Sequence, residues 1–148
     1  MALTKTAAVV WAGGMNFDAT AGSGFDLRLG SSKEYPGWSP MEMVLVGLAG
    51  CTAMDVITIL EKKRQDVTHF EVRVVGTRAE EHPKVYTDLQ VEFVVEGHGV
   101  DAEAVERAIE LSQDKYCSVS AMLQKAAPVR TSYRVLEASP QLAALEPA

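Results

Sequence analysis

Hydrophobic and polar positions alternate with a period of two in three short stretches between residues 4 and 29, which is typical of short strands. Residues 4–11 alternate, an Ala-Gly-Gly turn follows at 12–14, and residues 16–20 alternate again, so the sequence predicts a hairpin. A third strand is predicted over residues 25–29, with Phe25, Leu27 and Leu29 on one face. The Gly-, Ser- and Pro-containing residues 30–38 are expected to form a loop.

The pattern changes at Ser39, where a long helix is predicted over residues 39–64. Ser39 is a suitable N-cap, Pro40 suits the first helical position, and Glu42 stands three residues after the cap, as in a capping box. Apolar side chains surround this helix almost completely as far as Leu60. A helix that is hydrophobic all round is typical of the buried centre of a domain.

The C-terminal half predicts two strands, two helices and a last strand. Residues 68–77 and 85–95 alternate and are expected to pair in antiparallel orientation. Asp101 is expected to cap a helix, a short helix is predicted over 118–125, and residues 129–136 alternate as a strand. The buried stripe of the first of these helices is expected to be Ala104, Val105, Ala108, Ile109 and Leu111. The order of elements predicts one α+β domain over residues 1–137, followed by a flexible tail over residues 138–148.

Composition narrows the classes of function. The 148 residues carry 14 Lys and Arg against 20 Asp and Glu, a net charge of −6, which argues against a nucleic-acid partner. The longest uninterrupted apolar run, residues 43–51, is nine residues long, whereas a membrane-spanning helix needs about 20, so no membrane partner is expected. No targeting segment is recognisable, and the expected location is the cytoplasm, where thiols stay reduced.

Cys51 and Cys117 are the two cysteines of the chain, and both are candidates for chemistry. Cys51 lies inside the apolar helix, where a cysteine most often acts as a small hydrophobic residue. Gly47, four residues earlier on the same face, leaves room for a backbone or a ligand to approach the thiol. Thr52 and Asp55 add polar groups to the same helix. Because burial alone raises a thiol pKa, a reactive Cys51 requires a cation or a hydrogen-bond donor nearby.

Cys117 precedes the short helix at 118–125, with Ser118 as the other candidate for the cap. Free N–H groups and partial positive charge at a helix start lower a thiol pKa, which favours a reactive cysteine. The alternative is a cysteine that fills a junction between two helices. The sequence does not decide whether the two sulfur atoms meet.

Other candidate sites are weaker. His69, His82 and His98 have no companions at ligand spacing, so they are expected on the surface and no metal site is predicted. The Gly-Ser-Gly segment at 22–24 lacks the third glycine of a dinucleotide loop, and no cofactor is expected. Arg28 is expected to be exposed, and it is the one arginine near the start of the long helix.

Three segments together resemble the OsmC/Ohr superfamily, and most of all its YhfA-like branch. They are SPMEMVLVGLAGCTAMD at 39–55, LSxxKYCSVSAM at 111–122 and VxxSYxV at 129–135. The resemblance extends from the WAGGM segment at 11–15 to the last strand. It implies an OsmC-like fold, with antiparallel sheets wrapped around a long central helix in an intertwined homodimer.

The resemblance also implies thiol peroxidase chemistry. Cys51 would attack an organic hydroperoxide and become a sulfenic acid, and Cys117 would condense with it to a disulfide. An external dithiol reductant would then restore both thiols.

One position departs from the family pattern. Characterised members place a glutamate directly after the proline, where it orients an arginine that activates the thiolate, but Met41 stands there and Glu42 comes one residue later. Glu42 and Arg28 are therefore the supporting candidates, with capping as the other role for Glu42. The alternative function is a non-catalytic dimer that binds a small apolar or thiol-reactive ligand at the subunit interface.

Overall fold

The computed structural model describes residues 2–139. The chain forms two compact units, one up to Val44 and one from Leu45 onward. The expectation of one domain over 1–137 stays a prediction. Most of the predicted tail, from residue 140 on, lies outside the described residues. Before that point, the Ala138 N–H donates a hydrogen bond of 2.8 Å to the Gly97 carbonyl.

The N-terminal unit contains a three-stranded antiparallel sheet in the order β1 (Ala7–Trp11), β2 (Phe17–Ala21), β3 (Asp26–Leu29). The predicted hairpin is β1–β2, which confirms the turn between them. The third strand is shorter than expected, because the Phe25 carbonyl accepts a hydrogen bond from the Ala21 N–H and closes a turn. Phe25 precedes the strand and is 81% exposed, whereas Leu27 and Leu29 are half-buried.

Helix α1 spans Pro40–Lys62 and begins with the predicted capping box. The Glu42 N–H donates to Ser39 Oγ at 3.2 Å, and the Ser39 N–H donates to Glu42 Oε1 at 3.0 Å. These two bonds satisfy backbone groups that the first turn otherwise leaves unpaired. Pro40 occupies the first helical position, where its missing N–H costs no hydrogen bond.

The chain itself covers only one stripe of α1, contrary to the expectation that the helix is buried all round. The buried residues recur every fourth position, at Leu48, Thr52, Val56 and Leu60. Met54 is 72% exposed and Val46 is 46% exposed. By length and composition alone α1 also meets the requirements for crossing a membrane, with a mean hydropathy of 2.1, but core helices of soluble proteins meet them too.

The second unit is built on a sheet in the order β4 (Asp66–Arg78), β5 (Tyr86–His98), β6 (Val129–Glu137). Strands β4 and β5 are antiparallel as predicted, whereas β6 runs parallel to β5. The expectation of antiparallel sheets therefore holds for every strand pair except this one. A parallel pair needs a long crossover, and residues 99–128 between β5 and β6 provide it.

The crossover contains helix α2 (Ala102–Leu111), a π-helical turn (Ser112–Tyr116) and helix α3 (Ser118–Leu123). Asp101 caps α2 as predicted, with its side chain accepting from the Glu103 N–H at 3.0 Å. The predicted stripe of α2 is buried except for Leu111, which is half-buried. The core of this unit combines that stripe with the inward residues of β5, which include Leu89, Val91, Phe93 and Val95.

Candidate functional site

Cys51 lies in the middle of α1 and is half-buried. Apart from the chain neighbours and the helix's own backbone, no atom of residues 2–139 lies within 4 Å of where a side chain would begin at Gly47 or Gly50. These glycines therefore do not serve close packing within this chain. They leave an open surface on the helix beside the thiol.

Cys117 is 2% exposed and is itself the N-cap of α3, the position for which Ser118 was the other candidate. Its Sγ accepts a hydrogen bond from the Ser120 N–H at 3.4 Å. Burial raises the pKa of this thiol to about 11, against the opposing hydrogen bond from Ser120. The predicted lowering by the helix start is present, but it is weaker than the cost of burying a thiolate.

The structure brings the two thiols together. The Cys51 side chain acts on the Cys117 thiol and adds to the rise in the Cys117 pKa. The negative charge of Asp55 raises it further. Because the Thr52–Ser112 hydrogen bond also joins the two segments that carry them, Cys51 and Cys117 belong to one site.

A buried polar network lies next to the thiols. Thr52 Oγ1 and Ser112 Oγ are 2.7 Å apart, and Ser112 Oγ donates to Asp55 Oδ2 at 2.8 Å. Gln113 Nε2 donates to Thr52 Oγ1 at 3.1 Å. Sequence reasoning noted Thr52 and Asp55 as polar groups in an apolar helix, but it missed Ser112 and Gln113, for which no local pattern gives a signal.

The network continues into α3. Ser120 Oγ donates to Gln113 Oε1 at 2.6 Å and accepts from Gln124 Nε2 at 2.9 Å. At one end of the network the Ser120 N–H donates to Cys117 Sγ. At the other end the charge of Asp55 acts on the same thiol. Every buried hydroxyl in it has a partner, as buried polar groups require.

A cavity of about 240 Å³ lies next to Asp55 of this site, and neither cysteine lines it. Its lining includes Asp55, whose charge acts on Cys117, and Tyr116, the neighbour of Cys117 in the chain. The remaining wall is formed by Thr58, Ile59 and Lys62. The cavity thus offers an anion, a cation, a phenol and an apolar surface to a small molecule.

Glu42 and Arg28 belong to the N-terminal unit, where each has partners of its own. Hydrogen bonds from the Ser39 side chain and backbone lower the pKa of Glu42, which keeps this carboxylate ionised in the cap. Arg28 binds Asp18 through Nε at 2.9 Å and Nη2 at 2.8 Å. No hydrogen bond or ion pair joins Arg28 to Glu42 among the residues that the structure describes.

The three histidines are exposed, as predicted. His98 Nδ1 lies 3.0 Å from Asp66 Oδ2 at the end of the β4–β5 pair. Within residues 2–139, no group of three or more His, Cys, Asp or Glu side chains has the arrangement of a metal site.

Comparison with known proteins assigns the class that this fold and thiol site define. The family model described as "OsmC-like protein" matches residues 30–132, and the chain belongs to this family. Protein YhfA of Escherichia coli K12 is 42% identical over 132 residues, which cover 89% of this chain and 98% of YhfA. The resemblance to the YhfA-like branch is thereby confirmed.

Solved structures show the same fold. A hypothetical protein from Aquifex aeolicus VF5 is 31% identical and superimposes with a TM-score of 0.85, covering 93% of this chain and 100% of that one. The organic hydroperoxide resistance protein OhrB of Bacillus subtilis is 16% identical, with a TM-score of 0.60 over 89% of this chain and 98% of that one. At this identity the likeness to OhrB shows the fold alone.

Proposed function

We propose that this protein is a thiol peroxidase that reduces organic hydroperoxides with Cys51 and Cys117. The observation that carries the proposal is that Cys51 and Cys117 belong to one site. Thr52, next to Cys51, bonds Ser112 at 2.7 Å, the Ser112 carbonyl accepts the Cys117 N–H at 2.7 Å, and the Cys51 side chain acts on the Cys117 thiol. Cysteines held close together need little rearrangement to form a disulfide. Membership of the OsmC-like family, which contains proteins of the OhrB fold, supports the same chemistry.

Exposure and acidity give the two thiols different roles. Cys51 is the more accessible one, so it is the thiol that meets the hydroperoxide. Cys117 is buried, and its pKa of about 11 keeps it protonated at neutral pH. A protonated, shielded thiol does not compete for peroxide but is available to a sulfenic acid formed next to it.

The proposed cycle has three steps. The Cys51 thiolate attacks the O–O bond, giving Cys51 sulfenic acid and, after protonation of the leaving alkoxide, an alcohol. The Cys117 sulfur then forms a bond to Cys51 sulfur, and the sulfenic hydroxyl leaves as water with the thiol proton. A dithiol reductant finally exchanges with the disulfide, restoring both thiols and leaving as its own disulfide.

The cavity that Asp55 and Tyr116 line suits the small molecules that this cycle requires. Its volume of about 240 Å³ accommodates a small hydroperoxide or the thiol end of a reductant. Ile59 offers an apolar contact, while Lys62 and Asp55 fix the polar ends. The cycle requires a reducing compartment, and we propose that the protein is located in the cytoplasm.

The active form in this proposal is a homodimer. Apolar residues of α1 that the chain does not cover, among them Val46 and Met54, require another surface in water. The open helix face at Gly47 and Gly50 allows the backbone of a second copy to approach closely.

Steady-state turnover tests the proposed function. With cumene hydroperoxide and a dithiol reductant, the wild-type protein should consume peroxide at a rate that depends on both. Cys51→Ser should abolish this activity. In Cys117→Ser, Cys51 should react once with the hydroperoxide, but the dithiol should not sustain turnover, because no intramolecular disulfide forms. Equal peroxide consumption by wild type and Cys51→Ser would refute the proposal.

A second candidate is a non-catalytic dimer that binds a small apolar or thiol-reactive ligand at the subunit interface. It is favoured by the engagement of Glu42 with Ser39 and of Arg28 with Asp18, and by Asp55 as the charged group that acts on Cys117. An anion near a thiol disfavours the thiolate. A co-purifying ligand in native mass spectrometry, together with thiols that stay reduced under hydroperoxide, would favour this candidate over the peroxidase.

A further inference from the structure

Ser112 connects the two segments that carry the thiols. It is fully buried at the start of the π-helical turn, and its hydroxyl lies between Thr52 and Asp55 of α1. Its carbonyl accepts the Cys117 N–H at 2.7 Å. Thr52 directly follows Cys51 in the chain. The shortest route of hydrogen bonds from one cysteine-bearing segment to the other therefore runs through Ser112.

The hydrogen bonds around Ser112 have a single direction. A serine hydroxyl has one hydrogen, and Ser112 donates it to Asp55 Oδ2. Thr52 must then donate to Ser112, and Thr52 in turn accepts from Gln113 Nε2. The chain thus runs from Gln113 through Thr52 and Ser112 to the Asp55 carboxylate. Bonds that end on an ionised acceptor are stronger than neutral ones, so this chain holds Ser112 firmly.

The π-helical turn lets the Ser112 carbonyl accept a hydrogen bond from the Cys117 backbone. In a π-helix a carbonyl accepts from the N–H five residues later, and here Ser112 and Cys117 are that pair. A regular α-helix would pair the Ser112 carbonyl with residue 116 instead. The wider turn therefore binds the backbone of the resolving cysteine directly to the residue that is anchored on α1.

We propose that Ser112 is the positioning residue of the resolving step: anchored on Thr52 and Asp55, it holds Cys117 within reach of the Cys51 sulfenic acid. This inference rests on the proposed peroxidase function. In that step the Cys51–Cys117 S–S bond forms, the Cys51 S–O bond breaks, and the hydroxyl leaves with the Cys117 proton as water. Ser112 exchanges no atom with either sulfur, so it acts through the position of Cys117.

A second reaction competes with the resolving step, and this competition makes the effect of the Cys117 position measurable. A second hydroperoxide molecule can oxidise the Cys51 sulfenic acid to sulfinic acid and leave as an alcohol, which ends the cycle. The ratio of disulfide to sulfinic acid reports how fast Cys117 closes on Cys51. A change in the position of Cys117 alters this ratio without altering the first attack on the hydroperoxide.

Ser112→Ala tests the proposal. Reduced variant and wild-type protein are mixed with excess cumene hydroperoxide, quenched at short times and analysed by mass for the disulfide and the sulfinic acid. We expect the ratio of disulfide to sulfinic acid to fall at least about 10-fold in Ser112→Ala, because a misplacement of about 1 Å can cost on the order of 100-fold in rate. The rate of loss of the Cys51 thiol should stay within about threefold of wild type. An unchanged ratio in folded Ser112→Ala would overturn the proposal.

Two further comparisons separate positioning from other effects. Ser118→Ala removes a hydroxyl from an exposed position one residue after Cys117 and should leave the ratio unchanged. Thr52→Ser keeps the hydroxyl that bonds Ser112, so it should retain the wild-type ratio within about threefold, whereas Thr52→Val should resemble Ser112→Ala. Equal losses in Thr52→Ser and Thr52→Val would overturn positioning through this hydrogen bond in favour of an effect of packing.

The test also distinguishes failure of the inference from failure of the proposed function. If wild-type Cys51 does not oxidise at all, the peroxidase proposal fails and the ratio does not exist. If wild type forms the disulfide and Ser112→Ala forms it equally well, only the positioning role fails. Should Ser112→Ala not fold, Thr52→Val removes the same link from the side of α1 with little change in side-chain volume, and the same loss of the ratio is expected.

Discussion

Cys117 experiences two opposing influences on one sulfur atom. Burial in the second unit raises its pKa to about 11, while the Ser120 N–H donates to the sulfur and works in the opposite direction. Cys51 and Asp55 act in the same direction as burial. The balance leaves Cys117 a neutral thiol at physiological pH, so its chemistry depends on what forms at Cys51.

The first prediction concerns the alkylation of Cys117. In Cys51→Ser, burial still disfavours the thiolate, so modification of Cys117 by iodoacetamide should rise steeply only as the pH approaches the raised pKa. Mass analysis of timed samples over a series of pH values gives this profile, with the urea-unfolded protein as control. A rate that levels off below pH 9 in the folded variant would contradict the raised pKa.

The second prediction concerns stability at alkaline pH. Because the pKa of Cys117 is about 11 in the fold and 9.0 ordinarily, the folded state holds the thiol proton more tightly than the unfolded state. The stability linked to this proton is complete below pH 9 and is lost as the pH rises towards 11. Urea unfolding of the reduced protein should therefore show a steeper loss of stability over this range for wild type than for Cys117→Ser.

Lysine and tyrosine residues also titrate in this range, so the difference between the two proteins is the informative quantity. If wild type and Cys117→Ser lose stability in parallel from pH 8 to pH 11, the folded and unfolded pKa values of Cys117 do not differ.

At the scale of elements, the start of α1 depends on reciprocal bonds between Ser39 and Glu42. Ser39→Ala removes the side chain that caps the Glu42 N–H, and loss of such a cap costs about 1 kcal/mol. We expect the free energy of unfolding, measured with urea, to fall by roughly that amount. Ser31→Ala, in the exposed loop before the helix, is the matched control and should change little. Equal stability of both variants would show that the capping box contributes nothing.

The sequence predicted those elements whose signals are local. The Ser-Pro-Met-Glu segment indicated the start of α1, and Asp101 indicated the start of α2, because a cap and the N–H groups it satisfies lie within one turn. Alternation located β6 but not its direction, because alternation is the same in parallel and antiparallel strands. Phe25 fitted the alternation and yet lies outside β3, because its carbonyl closes the preceding turn.

Within the site, only the two reactive sulfur atoms were predictable from the sequence. Cys51 and Cys117 stand out by residue type, whereas their proximity depends on how the crossover packs on α1. Ser112 lies 57 positions from Asp55 along the chain, so no local pattern relates the two. The π-helical turn that links Ser112 to Cys117 likewise has no sequence signature in Ser-Gln-Asp-Lys-Tyr.

At the scale of the whole molecule, the uncovered apolar residues of α1 underlie the proposed homodimer. A glutamate at an apolar interface is costly to bury, so Met54→Glu should shift the protein from dimer to monomer. Sedimentation equilibrium measures this shift, and Gln90→Glu, which adds the same charge at an exposed position of β5, should stay dimeric. A wild-type protein that is monomeric, or that sediments with lipid vesicles, would contradict the dimer.

The most direct test of the thiol peroxidase is a count of thiols after one equivalent of oxidant. Reduced protein is treated with one equivalent of cumene hydroperoxide, its free thiols are titrated, and its disulfides are mapped by mass spectrometry. The account predicts the loss of two thiols per chain and an intramolecular Cys51–Cys117 disulfide. Two thiols that remain titratable in protein that is still folded would contradict it.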